Sequence, residues 1–128
     1  MRRYSSLILL SIIFLLASCS GSDVYRGAWK ALDNQGEQFD LVFDEKNFKV
    51  KHIISGESKD FSYTQNSIKI NNGVKTYGIK LNDGKKYLIH FPMSSTENKA
   101  VILTDNGGIV YTLGRGEFVT QQDIYQPK

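Results

Sequence analysis

The chain is poor in the residues from which most active sites are built. Cys19 is the only cysteine among 128 residues, so no intramolecular disulfide forms and the fold must hold by its core. His52 and His90 are the only histidines, and without a second thiol they make no Cys/His cluster of the kind that binds zinc. No Gly-x-Ser-x-Gly elbow occurs. Gly107-Gly108 is followed by no helical pattern, so it is no phosphate loop. A membrane-spanning helix needs about 20 apolar residues. The longest apolar run, Leu7 to Leu16, is far shorter and contains Ser11, and no helical period of useful length follows it.

What is present begins at the N-terminus. Arg2-Arg3 precede the apolar run, and Ala17-Ser18-Cys19 end it. A basic start, a short apolar stretch and small residues at the exit are the order of a secretory signal. The Arg pair invites a twin-arginine reading, but Tyr4-Ser5-Ser6 lacks the rest of that pattern. Leu16-Ala17-Ser18-Cys19 resembles the lipobox of bacterial lipoproteins. The resemblance implies a diacylglycerol on the Cys19 sulfur, cleavage before it and acylation of the new N-terminus. It divides the chain into a signal peptide, 1–18, a lipidated tether, 19–24, and a folded body. It also implies a place in the bacterial cell envelope with the membrane as partner. Ser20, where an aspartate would favour the inner membrane, points to the outer one. Removal of Arg2 and Arg3 leaves 14 basic against 13 acidic side chains, so charge supports no nucleic-acid partner.

From Tyr25 onward the pattern has period two. Phe39, Leu41 and Phe43 alternate with Asp40 and Val42; Phe48, Val50, His52 and Ile54 alternate with Lys49, Lys51 and Ile53. The same holds for Tyr77, Ile79 and Leu81, for Tyr87, Ile89 and Phe91, and for Ile109, Tyr111 and Leu113. Such alternation sets one face in a core and one in water. Turn signals rich in Asn, Asp and Gly separate the runs about every ten residues. The expected strands are 25–33, 37–44, 47–54, 58–64, 67–71, 74–82, 85–91, 99–104 and 108–114. The expected fold is all-β: an antiparallel meander of eight or nine strands over 25–116, closing into a small barrel and so removing exposed edges. The tail, 117–128, is less regular and reads as a short helix, a last edge strand or a loose end.

Tyr25-Arg26-Gly27-Ala28-Trp29 opens the first strand, and Tyr111-Thr112-Leu113-Gly114-Arg115 closes the last. Gly-x-Trp on the first strand with an Arg after the last resembles the lipocalin and calycin barrels. The resemblance implies that Trp29 plugs the closed end, that Arg115 packs across its indole, and that Gly27 permits the close approach. It implies a lipocalin-like barrel whose interior holds side chains or one small ligand.

Few residues suggest chemistry. His52 falls on the apolar face and reads either as a satisfied rim histidine or as a polar group in a ligand cavity; His90 falls on the outer face. Tyr63, Tyr77, Tyr87 and Tyr111 read as core packing or as a ring-lined cavity. No catalytic residue, metal ligand or cofactor is expected, and the chain reads as non-enzymatic. The first functional expectation is an envelope lipoprotein binding a small apolar ligand or lipid in its barrel. The alternative is a protein-interaction module, either an inhibitor of a lytic enzyme or an accessory subunit of an envelope machine. Asn72-Gly73-Val74-Lys75-Thr76-Tyr77 resembles the Ser-Gly-x-x-Tyr loop of barrel lipoproteins that inhibit lysozyme, although the serine and the spacing differ.

Overall fold

Strand after strand, small and apolar side chains point one way and charged ones the other. Ala31, Leu41, Ile89 and Leu113 are wholly buried, whereas Lys30 and Asp40, paired across neighbouring strands at 2.9 Å, face outward. A computed structural model describes residues 24–125. The expected signal peptide, 1–18, the expected lipidation site Cys19 and residues 19–23 of the expected tether lie outside the described residues, as do 126–128. The strands are β1 (Gly27–Leu32), β2 (Gln38–Phe43), β3 (Asn47–His52), β4 (Ser58–Asn71), β5 (Val74–Leu81), β6 (Lys86–Phe91), β7 (Lys99–Thr104) and β8 (Ile109–Gly114). Each pairs antiparallel with the next, and β8 returns to β1 through Lys30↔Gly114, Ala31↔Leu113 and Leu32↔Thr112. The architecture is therefore an all-β meander closed into an eight-stranded barrel.

Short turns enforce the meander. Asp33 Oδ1 accepts the Gln35 and Glu37 N–H groups at 2.9 and 3.0 Å, and Asp44 Oδ1 accepts those of Lys46 and Asn47 at 2.9 and 2.7 Å. These bonds pre-form the turns on either side of β2. Asn72 and Gly73 have φ of 54° and 81°, the paired left-handed conformation of a tight hairpin.

Two boundaries differ from the sequence reading. Residues 58–64 and 67–71 are one strand, which makes eight strands rather than nine. The polar step at Gln65-Asn66 is a bulge: Gln65 pairs with Ile79 and Ser67 with Gly78, so Asn66 is the extra residue. Gly78 makes room for it, because a Cβ there would collide with the Ser67 and Asn66 side chains. Ile54 does not share the apolar face. β3 ends at His52, and Ile54 sits in the following turn at 89% exposure.

The tail is a short helix, α1 (Gln121–Tyr125), docked on the outside of the barrel. Thr120 and Asp123 cap it reciprocally: Asp123 N–H donates to Thr120 Oγ1 at 3.2 Å, and Thr120 N–H to Asp123 Oδ2 at 2.9 Å. Ile124 and Val119 cover Val101, which points outward from β7. Among the described residues, no helix is long and apolar enough to cross a membrane.

Candidate functional site

The strand order defines two ends. One carries the start of β1, the β2–β3 and β4–β5 turns and the end of β8. The other carries the β1–β2, β3–β4, β5–β6 and β7–β8 turns.

The first end is closed. Trp29 is 1% exposed, and its Nε1–H donates to the Tyr25 carbonyl at 2.7 Å. The Arg115 guanidinium lies over the indole, its carbon 3.7 Å from the ring centroid. Its Nη1 donates to the Ala28 carbonyl at 2.9 Å, and Nη2 to those of Val24 and Arg26 at 2.6 and 2.8 Å. One planar fork thus ties β8 to the chain entering β1. Burial lowers the Arg115 pKa, and the Glu97 carboxylate opposes that shift. Gly27 adopts φ 102°, and an added Cβ would stand 3.2 Å from Arg115 Nη1. Positive φ and a guanidinium at this range both select glycine.

Above this plug the interior is filled by rings. Tyr25 meets Phe43, Tyr63 and Tyr77 at centroid distances of 5.4, 6.4 and 5.1 Å, and Tyr77 meets Phe91 at 6.0 Å. The Tyr63 hydroxyl donates to the Asp44 carbonyl at 2.5 Å, and the Tyr25 hydroxyl to Gln65 Oε1 at 2.8 Å. Tyr63 and Tyr77 are core residues, the first of the two readings left open by the sequence, and other rings contact their faces. Tyr77 is 1% exposed, so the ring that ends the segment Asn72–Tyr77 is enclosed within the barrel.

The other end is open. Phe39, Val50, Phe61, Tyr87, Val110 and Tyr111 are only partly buried and pack on the core from above. All of these but Phe39 line a recess of about 120 Å³, together with Phe43, Phe48, Ile79, Leu81 and Ile102. A wider bowl of about 470 Å³ opens beside it and shares Val50, Phe61 and Tyr111. Its polar lining is Glu37, His52, Ser55, Glu57 and Lys59. Of the residues expected to line a cavity, His52, Tyr87 and Tyr111 stand at this mouth. Phe39, Val50, Phe61 and Val110 join them without having been singled out. Alternation placed Val110 outside. The register slips in β8, with Ile102 opposite Tyr111 but Leu103 opposite Ile109, so Val110 is a bulge residue and reaches the mouth together with Tyr111. Burial, with Asp33 and then Tyr87, raises the Tyr111 pKa.

His52 organises the rim. Its Nδ1 accepts the Ser55 N–H at 3.1 Å and lies 2.9 Å from Ser55 Oγ. Its Nε2 lies 2.8 Å from Glu37 Oε1. The bonds assign the neutral tautomer with hydrogen on Nε2, donated to Glu37. Ser55, His52 and Glu37 thus follow the order of a nucleophile, a base and an orienting acid. The backbone around them is committed elsewhere. Ser55 N–H is on His52, Gly56 N–H on the His52 carbonyl at 2.9 Å, and Glu57 N–H on Ser55 Oγ at 3.2 Å. The Ser55, Gly56 and Glu57 N–H groups are thus engaged within the turn, and the serine oxygen is already an acceptor. The triad is a clamp that ties the β3–β4 turn to the β1–β2 turn.

His90 sits on the outer face of β6, its Nδ1 2.7 Å from Thr76 Oγ1. It is half-buried rather than freely solvated, and burial lowers its pKa. Among the described residues, no group of three His, Cys, Asp or Glu side chains could hold a metal ion. No family model matches the chain, and no curated protein or solved structure matches it.

Proposed function

We propose that this chain is a lipid-anchored, non-enzymatic protein of the bacterial envelope whose open barrel end receives a compact apolar group. One observation carries the reading. The partly exposed apolar side chains Phe39, Val50, Phe61, Tyr87, Val110 and Tyr111 converge on one mouth and leave it unfilled. At the closed end the inward rings Tyr25, Trp29, Tyr63 and Tyr77 are packed to 1–3% exposure. The lipobox resemblance at Leu16–Cys19 supports the anchor and an outer-membrane address. The Trp29–Arg115 stack supports the lipocalin-like reading of the barrel.

Volume sharpens the ligand class. Cavities near 150 Å³ accommodate one benzene-sized ring. A recess of about 120 Å³ therefore takes a single ring or a short alkyl end, while the bowl of about 470 Å³ houses a polar remainder beside Glu37, His52 and Lys59. A whole fatty-acyl chain does not fit within. Titrating the purified chain with 8-anilinonaphthalene-1-sulfonate tests the reading. Enhanced emission is expected, and Phe61→Ser and Tyr111→Ser each reduce it severalfold. Equal emission from both variants sinks the proposal. Hydrolysis of p-nitrophenyl acetate at the buffer rate, unchanged by Ser55→Ala, is the expected outcome for a non-enzyme.

A second reading has its own observation. The mouth is at the barrel end opposite Val24, where the chain arrives from the tether. It faces away from the anchor and toward other envelope proteins, one of which could present an apolar side chain to the recess. Photo-crosslinking from position 54, beside the rim, separates the two: a protein adduct favours a partner, and its absence with dye binding favours a small ligand.

A further inference from the structure

We infer that the far half of β4 is a lipid-contacting wedge, with Ile68 and Ile70 as the side chains that meet the bilayer surface. The inference rests on the anchoring of Cys19 proposed above. Beyond its last pairing with β3, Asn47↔Ser62, β4 continues to Asn71 with β5 on one side and no described strand on the other. Residues 64–71 are exposed throughout. Ile68 is 45% and Ile70 64% exposed. They pair with Tyr77 and Lys75, so both stand on the sheet face that is interior further up, here carried past the closed end of the barrel. Two isoleucines on one solvent-facing stretch form an apolar patch that water disfavours.

Position says what covers them. The base of this ribbon is held at Tyr25 by its bond to Gln65, next to the point where the chain enters at Val24. Five residue steps separate Cys19 from Val24, a span of at most about 18 Å. Five steps also separate Gln65 from Ile70, about 17 Å of strand. The far half of β4 thus extends about as far from Gln65 as the tether lets Val24 stand from the lipid, while its β5 side is braced by β6 through Lys75↔Phe91 and by the Lys75–Glu97 ion pair. Any slack in the tether brings the isoleucines to the headgroups. A second copy fits less well. Antiparallel pairing of two β4 edges that matched Ile68 with Ile70 would set Lys69 directly against its counterpart. A lysine on an edge strand guards against such pairing. At the headgroup level the unpaired backbone stays hydrated while only side chains dip inward.

The test uses the full chain made in a lipidating bacterium, carrying Ile70→Cys or, as the open-end control, Ile54→Cys. Each is labelled with a thiol-reactive bimane and reconstituted into phosphatidylcholine vesicles with or without brominated phosphatidylcholine. Acylation consumes the Cys19 sulfur, so one dye per chain reports the anchor. One dye, with emission at position 70 quenched at least twofold and emission at 54 unchanged, is the expected result; Ile68→Cys should repeat it. One dye with equal quenching at 70 and 54 overturns the wedge and leaves the anchor standing. Two dyes per chain overturn both. Disulfide-linked dimers forming faster through position 70 than through 54 assign the edge to a second copy and overturn the lipid contact.

Discussion

The two ends of this barrel are made from the same strands and the same alternation, yet one is sealed and the other is bare. At the closed end Trp29 is buried, and Arg115 lies on its face while donating to three backbone carbonyls. At the open end six partly buried apolar side chains pack on the core from one side and border a recess and its adjoining bowl on the other. Stability is concentrated where rings and a guanidinium fill every direction. Binding capacity collects where packing is relaxed, a division expected when function uses the less stable part of a fold.

Substitutions should separate the ends sharply. The largest effect is expected from Trp29→Ala, which removes the plug and should cost about 3–5 kcal/mol, read as a lower urea midpoint. Next comes Arg115→Ala, which strips three carbonyls of their donor and should cost about 2 kcal/mol. Arg115→Lys should restore less than half, because an ammonium lacks the planar fork. Gly27→Ala should cost about 1–2 kcal/mol, since its positive φ is strained for any side chain. Mouth substitutions invert the pattern. Phe61→Ser should change stability by less than about 1.5 kcal/mol while reducing dye binding severalfold, because the ring is only partly buried. If Phe61→Ser unfolds the protein as readily as Trp29→Ala, the contrast between the ends is wrong.

The smallest effect is a pH dependence outside both ends. Burial lowers the folded-state pKa of His90, so the unfolded chain binds its proton more readily. Its contribution is complete above the ordinary histidine value and declines as pH falls through the range below it. His90→Gln should flatten the urea midpoint between pH 6.5 and more acidic values. Tyr111 works in the opposite direction: its raised pKa means stability is lost as pH rises past the ordinary tyrosine value, and Tyr111→Phe should remove that loss.

Much of the fold was legible because strands and turns are local. Period-two runs and Asp/Asn/Gly turns marked nearly every element. The exceptions share a cause. Gln65-Asn66 has the composition of a turn, but Gly78 across the ladder lets it bulge within one strand. Val110 was read as outward because a bulge in β8 leaves no trace in alternation. Val101 belongs to a run, Ala100 to Leu103, that is apolar on both faces, a hint that something covers the outside of β7; α1 does so. The Thr120-x-x-Asp123 spacing could have located that helix. Of the mouth, His52, Tyr87 and Tyr111 were visible, whereas Phe39, Val50 and Phe61 looked like any other core residue.

The amino-acid sequence by itself determined which residues lie in strands, which face each presents, and that short turns make neighbours antiparallel. It also places a basic pair, a short apolar run and small residues ahead of Cys19. Only the tertiary structure decided that β8 returns to β1, and which inward side chains become core or mouth. Tyr77 and Tyr111 have the same local pattern, yet one is sealed among rings and the other borders a recess. Alternation reports the face of a sheet but not the height along the barrel axis. Height is set by the registers of eight strands together, and it separates a plug from an opening.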